Sequence, residues 1–337
     1  MIKTVLVTGG TGYVGSILVP KLLNKGYKVV ALDCMFFTDM GLKAVKSNPN
    51  LTIINGDIRS TDVLKKSLKG VDAVIHLASI SNDPSSDLNP QLTVEVNYEA
   101  SVNLIKLSKE AGVQRFINAS TSSVYGIKEI PNVTEDLPLE PLTVYSKTKA
   151  DTEPFVTKAN DKNFCAMTIR PATVCGYSPK MRLDLTVNIL TMHALTKGKI
   201  TVFGGNQKRP NIHIEDITDY YVKLLDMPAE KIAGKIYNAG YENHTVSEIA
   251  QMVKDIIGQH VTIETTPSND NRSYHISSAK IEKELGLKPN HTIKDAVLDI
   301  KNAAAKGLLD WSDENYYNVK KVKSLVDSKS ELVASGK

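Results

Sequence analysis

The chain has 337 residues, 42% of them hydrophobic and 23% charged, a soluble globular composition that can bury a large core in one large domain or two of ordinary size. Its net charge of +4, from lysines scattered except near Lys320, Lys321 and Lys323, suits anionic small molecules and gives no case for nucleic acid. Three cysteines, Cys34, Cys165 and Cys175, odd in number and without C-x-x-C spacing, support neither a disulfide framework nor a metal site, and no apolar run approaches the ~18 residues of a membrane span.

The amino end enters a strand directly, with no basic segment and cleavage site, so no membrane partner is expected and the expected location is the cytoplasm. An apolar run, Thr4 to Val7, leads into Thr8-Gly9-Gly10-Thr11-Gly12-Tyr13-Val14-Gly15. A helical pattern follows over Tyr13 to Asn24, and a second apolar run, Val29 to Leu32, ends at Asp33. Strand, glycine turn, helix, strand and acid is the order of a dinucleotide-binding unit. One glycine makes the tight turn, one lets the backbone approach a pyrophosphate, and one lets the helix pack closely on the strand. The phosphates sit at a helix N-terminus, where unpaired N–H groups and the helix dipole favour negative charge. A carboxylate at Asp33 binds the ribose hydroxyls of NAD and repels the 2′-phosphate of NADP, so NAD is the expected cofactor. The spacing is G-x-x-G-x-x-G and not the commoner G-x-G-x-x-G, so the weight rests on its place between strand and helix.

Further short apolar runs occur at Leu51 to Ile54, Ala73 to Leu77, Arg115 to Ala119 and Cys165 to Arg170, as strands buried on both faces should read. Helical patterns lie between them at Thr61 to Leu68, Pro90 to Ala111 and Tyr145 to Lys158. The alternation predicts an α/β fold, a Rossmann-type doubly wound parallel sheet. Pro154 predicts a kink in the last of those helices. The rhythm breaks at 171–208, where an insertion carrying the amphipathic stretch Leu185 to Leu195 would form a lid or substrate wall at the strand ends. A helix over Ile212 to Leu225 and a strand over Lys235 to Ala239 then rejoin the sheet. The expected division is therefore residues 1–170 plus about 209–240 for the cofactor, and 171–208 plus about 241–320 for a smaller, discontinuous C-terminal substrate domain. Residues 328–337, without a periodic apolar face, are expected to be a disordered tail.

Two patterns carry chemistry. Tyr145 and Lys149 are one helical turn apart and share a face, so an ammonium can stabilise the phenolate and bring the tyrosine into the range of a general base. The hydroxyl-rich segment Ala119-Ser120-Thr121-Ser122-Ser123-Val124-Tyr125-Gly126 falls where a strand should end over the ligand crevice, and a hydroxyl there can orient a substrate alcohol.

Together these residues resemble the extended short-chain dehydrogenase/reductase family, of nucleotide-sugar epimerase/dehydrogenase type, over roughly Lys3 to Gly307. The resemblance implies an enzyme with NAD as cofactor and a nucleoside-diphosphate sugar as substrate. Its phosphate loop falls on Gly9, Gly12, Tyr13, Val14 and Gly15, its ribose acid on Asp33, and its adenine edge on Asp57 and Ile58. Further cofactor contacts fall on Leu77, Ala78, Asn97, Tyr145, Lys149 and Pro171, and the catalytic triad on Thr121, Tyr145 and Lys149. Substrate positions fall on Ser122, Ser123, Asn188, Phe203 and two diphosphate arginines, Arg209 and Arg272.

Related 4,6-dehydratases carry Asp-Glu, and decarboxylases a Glu, where this chain has Ser122 and Ser123. Redox at a sugar alcohol, usually C4, is what remains, most simply as an epimerase. If the keto sugar leaves, the enzyme is a dehydrogenase or reductase, and the segment Cys175 to Leu185 resembles a branch that includes a GDP-heptose 4-dehydrogenase. Ser81 stands about where sugar epimerases often carry a basic residue. The family commonly forms a homodimer through the helices that here span Pro90 to Ala111 and Tyr145 to Lys158. A non-catalytic NAD-binding regulator is the distant alternative, against which Tyr145 and Lys149 speak.

Overall fold

The computed structural model describes residues 1–128, 130, 132–268 and 275–328. Its strands in chain order are β1 (Thr4–Thr8), β2 (Lys28–Asp33), β3 (Leu51–Asn55), β4 (Ala73–His76), β5 (Arg115–Ala119), β6 (Cys165–Pro171), β7 (Thr173–Cys175), β8 (Lys199–Phe203), β9 (Lys208–His213), β10 (Ile236–Ala239), β11 (Glu242–Thr245) and β12 (Thr262–Thr266). The helices are α1 (Gly15–Asn24), α2 (Thr61–Ser67), α3 (Asp83–Asp87), α4 (Pro90–Val94), α5 (Ala100–Glu110), α6 (Val144–Lys158), α7 (Thr186–Lys197), α8 (Ile214–Asp226), α9 (Ala229–Ile232), α10 (Val246–Ile257), α11 (Ala279–Leu285), α12 (Ile293–Ala305) and α13 (Asn318–Asp327).

Seven strands form one sheet in the order β3-β2-β1-β4-β5-β6-β10, every pair parallel. Alternate residues of β1 feed opposite cores. Val5 and Val7 pack with Leu18 and Leu22 of α1 and Tyr221 of α8, while Leu6 packs with Val74, Leu104 of α5 and Phe116. Strand order reverses between β1 and β4, which opens the crevice at the carboxyl ends of those strands.

A second, smaller body is assembled from separate stretches of chain. β7, β9 and β11 form a three-stranded sheet and β8 pairs with β12. Apolar faces of α7, α10 and α12 close its core, with Val187, Leu190, Ile249, Val253 and Val297 fully or nearly buried.

Several sequence expectations need correction. β9 pairs with β7 and β11 and not with the large sheet, so the return to that sheet begins at α8 and not at 209. The expected helix from Ile212 starts two residues later because Ile212 and His213 are strand, with His213 accepting the Glu215 N–H at 3.2 Å as N-cap. The stretch 90–110 is not one α-helix but α4, a π-turn over Glu95–Glu99, and α5. Pro154 lies inside α6, which runs from Val144 to Lys158. Helix α13 went unread because its apolar positions are few between lysines. Positions 329–337 of the expected tail lie outside the described residues.

Candidate active site

The glycine loop shows three different demands. Gly9 takes φ +70°, and a Cβ on it would lie 2.8 Å from the backbone N of Ala78; a side chain would push β1 and β4 apart. A Cβ on Gly15 would lie 2.5 Å from the carbonyl oxygens of both Gly9 and Gly10, so this is the glycine of close turn-to-helix packing. Gly12 is different: its Cβ would meet only the Gly9 carbonyl, at 3.2 Å. Its bareness answers to the cleft it lines and not to the protein interior. Gly10, unassigned from sequence, packs so tightly on β2 that a Cβ would come 2.8 Å from Ala31 Cβ.

Helix α1 opens at this loop with no side-chain cap and no acidic residue in its first turn, which leaves its N-terminal field for a phosphate. At the end of β2, Asp33 accepts the Thr11 N–H at 3.1 Å and the Met35 N–H at 2.9 Å, and burial pushes its carboxyl pKa up. Asp57 is paired with Arg59 at 2.7 Å, and Arg59 reaches on to Glu95 at 3.0 Å. Gly9, Gly12, Tyr13, Val14, Gly15, Asp33, Asp57, Ile58, Leu77, Ala78 and Pro171 all line one cleft of about 550 Å³. A bare backbone edge, a free helix terminus and a carboxylate at the neighbouring strand end fit a dinucleotide.

Asn97 is not in that lining. It is buried by the π-turn, accepts the Ile80 N–H at 2.8 Å and donates to the Ile80 carbonyl at 3.0 Å, so it shapes the loop after β4 and does not face the cleft. Below it His76 bridges Thr8 and Ser101 at 2.7 and 2.8 Å, and burial pushes its pKa down to about 3. This is a neutral structural imidazole.

On the other side of the switch point, Thr143 caps α6 in a reciprocal pair with Ser146. That places Tyr145 in the first turn, where the helix dipole favours a developing phenolate. One turn on, Lys149 is buried and donates to the Ala119 carbonyl at 2.9 Å, and desolvation lowers its pKa to about 8. Thr121 follows the end of β5, accepts the Ser123 N–H at 3.2 Å and donates to Ser123 Oγ at 3.3 Å. Thr121, Ser122, Ser123, Tyr145 and Lys149 line the same cleft as the glycine loop.

A buried ion pair that the sequence did not disclose forms the floor under these residues. Arg170 of β6 donates through Nε and Nη2 to the two oxygens of Glu153 on α6, at 2.9 and 2.6 Å. Ser120 Oγ donates to Glu153 at 2.6 Å and Arg170 Nη1 donates to Tyr125 OH at 2.7 Å. The pair locks α6 to β5 and β6, one turn beyond Lys149.

The insertion is tied both to the glycine loop and to the loop after β4. Tyr13 OH donates to the Gly176 carbonyl at 2.7 Å and Ser178 Oγ to the Tyr13 carbonyl at 2.8 Å. Asn188 accepts the Gly176 N–H at 3.0 Å and donates to Tyr13 OH and the Arg182 carbonyl, both at 3.1 Å. Its amide is spent holding the insertion and does not line the cleft, contrary to the expected diphosphate contact. Arg182 and Asp184 form a buried pair at 2.5 Å in the cleft wall; Arg182 Nη1 also donates to Ser81 Oγ at 3.0 Å, and Asp184 accepts from Asn82. Arg182, Asp184, Lys180 and Tyr221 line the cleft without having been singled out. Arg209 lines it as expected, whereas Phe203 at the end of β8 is 61% exposed and lies outside the lining. Arg272 lies outside the described residues. Among the described residues no group of His, Cys, Asp or Glu is arranged to hold a metal, and no helix is long and apolar enough to cross a membrane.

Comparison with known proteins agrees with this geometry. The chain is 29% identical over 315 residues to a UDP-glucose 4-epimerase of Lactobacillus helveticus, covering 87% of this chain and 94% of the relative. A UDP-glucuronic acid 4-epimerase of Bacillus cereus, solved with UDP-glucuronic acid and NAD, superposes with a TM-score of 0.81 at 29% identity, covering 90% of this chain and 99% of that one. DesIV, a dTDP-glucose 4,6-dehydratase of Streptomyces venezuelae with NAD bound, gives 0.81 at 26% identity and covers 90% of this chain and 97% of its own. The family model described as NAD dependent epimerase/dehydratase matches residues 5–240. That match runs from β1 to β10, the whole of the large sheet, and on it the chain belongs to the NAD-dependent epimerase/dehydratase family of enzymes.

Proposed function

We propose that this enzyme is a nucleoside-diphosphate-sugar epimerase that oxidises one sugar alcohol, at C4, and reduces it again on the other face without net formation of NADH. The observation that carries this reading is the sugar end of the cleft, where Thr121, Tyr145 and Lys149 meet beside hydroxyls, and not carboxylates, at Ser122 and Ser123. Expelling water needs an acid beside the sugar, and neither of those positions has one. Tyr145 takes the C4 hydroxyl proton and later returns it; Thr121 holds the same oxygen; Lys149, fixed on the Ala119 carbonyl, supports the phenolate. Bound NAD supplies the acceptor and donor of hydride. Gly12 and the α1 terminus would hold its pyrophosphate, and Asp33 its adenosine ribose. Arg209 offers a planar fork to the sugar diphosphate. The two 4-epimerase relatives support the same reading and favour a UDP-sugar.

The insertion at 175–185, which resembles a dehydrogenase branch, gives a second reading in which the keto sugar leaves the site. Proton NMR of the anomeric region, after incubation with UDP-, GDP-, CDP- and dTDP-sugars and NAD, separates the two. A new isomer without NADH absorbance supports the epimerase; a keto sugar appearing in step with NADH replaces it with a dehydrogenase.

We also propose a homodimer through the face of α6 that carries Phe155. That ring is 41% exposed and meets Tyr98 edge-on at 5.8 Å between centroids, an apolar surface of the kind that pairs between copies. Light scattering at micromolar concentration should give twice the chain mass, and a monomer would reject the arrangement.

A further inference from the structure

We propose that Lys180 and the C-terminal helix α13 form a second wall of the NAD site, in which Lys180 donates to the adenosine ribose hydroxyls beside Asp33 and α13 keeps it in place. The inference rests on the cofactor and not on the sugar chemistry, so it stands or falls separately from the epimerase reading.

Lys180 is 2% exposed yet lines the cleft. Its ammonium sits 4.0 Å from the centroid of the Phe37 ring and donates to Asn318 Oδ1 at 2.8 Å. An ammonium has three donors, and that single hydrogen bond is the one it makes among the described residues. Burial and the neighbouring Arg182 push its pKa down to about 7, and a buried amine with donors unspent is costly unless a ligand takes them up. The position identifies the ligand's end: Phe37 follows Asp33 by four residues on the loop after β2, and Asp33 and Lys180 each feel the other's charge. In a sheet of this order the end of β2 belongs to the adenosine ribose.

Helix α13 and the turn before it are tied to the same place by two bonds, Lys180 to Asn318 and the Leu183 N–H to the Tyr316 carbonyl at 2.8 Å. Its residues Asn318, Val319 and Val322 face the cleft, and its other neighbour is α3, beyond β4. The helix therefore crosses the crevice from the end of β2 to the end of β4, and its first side chain sets where the ammonium points. Cofactor held between the glycine loop and this wall would exchange slowly.

The test uses the full chain and its Lys180→Met and Asn318→Ala variants. Titration calorimetry of cofactor-depleted protein with NAD, ADP-ribose and nicotinamide mononucleotide, and NAD retained through gel filtration, are the readouts. Lys180→Met should weaken NAD and ADP-ribose by the same factor, about tenfold, leave the mononucleotide unchanged, and release NAD during filtration. Asn318→Ala should act in the same direction and more weakly. Unchanged affinity for NAD and ADP-ribose in a variant that melts like the parent would overturn the proposal, as would a loss confined to the mononucleotide. Should Lys180→Met not fold, the Asn318→Ala ratio of NAD to mononucleotide affinity decides.

Discussion

Lys149 carries a cost that its position makes unavoidable. Burial brings its pKa from 10.5 to about 8, so below pH 8 folding takes a charged amine out of water, at a cost of about 3 kcal/mol relative to the unfolded chain. The folded pKa lies below the unfolded one; the penalty is complete below about pH 8 and is relieved as pH rises from there to about 10.5. Lys149→Met should therefore unfold at higher urea at pH 7. The net gain is about 1 kcal/mol once the orphaned Ala119 carbonyl is counted, and the gap should close near pH 9 and reverse toward pH 10. The same variant should be inactive, so a lysine that served only the fold would give the opposite pair of results. Tyr145→Phe removes the proton acceptor and leaves the cofactor wall intact. Turnover should fall by about 10²–10⁴-fold while NAD affinity stays within twofold by calorimetry. Retained turnover would mean that Tyr145 is not the base and would return the non-catalytic regulator to consideration.

At the scale of elements, the glycine loop separates folding from binding within one turn. Gly15→Ala would drive a methyl into two carbonyl oxygens and should yield little folded protein, whereas Gly12→Ala meets one oxygen at 3.2 Å and should fold. Its defect should appear as lost NAD in gel filtration, with melting of the cofactor-free protein within about 2 °C of the parent. The Glu153–Arg170 pair makes a comparable claim about α6. Glu153→Gln leaves the guanidinium buried without its counter-charge and should cost about 3–5 kcal/mol in urea unfolding. Strands β1 to β6 could be read from sequence because both faces of a parallel strand are apolar, and the glycine loop because its spacing is set by backbone contact. The π-turn, β9 and α13 could not. Each is decided by partners distant in the chain: Asn97 by Ile80, β9 by strands on either side of it, and α13 by Lys180 and Leu183.

For the whole molecule the same division holds in the cleft. Thr121, Tyr145, Lys149, Asp33 and the glycines were legible because their chemistry demands fixed spacing within one element. Asn97 and Asn188 were placed in the cleft by pattern, and the structure turns both amides into struts, since a buried amide goes to whichever backbone groups lack partners. Lys180, Arg182 and Asp184 went unassigned because an insertion's path over the sheet is not written in its periodicity.

The seventh strand gives the molecule an order of events. Among the described residues β10 pairs only with β6, and it brings a wholly buried Tyr237 together with Asn238, whose Oδ1 accepts from Tyr125 OH at 2.8 Å and whose N–H donates to Glu135 at 2.7 Å. That strand emerges from the ribosome some sixty residues after β6, behind β7, α7, β8 and β9 of the smaller body. Until then β6 is an unpaired edge, and the Tyr125–Arg170–Glu153 chain beneath α6 lacks its last link. The nascent chain thus carries every residue of the Tyr145–Lys149 pair long before it has the support that holds them, and contacts of such long sequence separation form late. In refolding followed by stopped flow, NAD capture should lag the first gain of helical signal and coincide with burial of Tyr237.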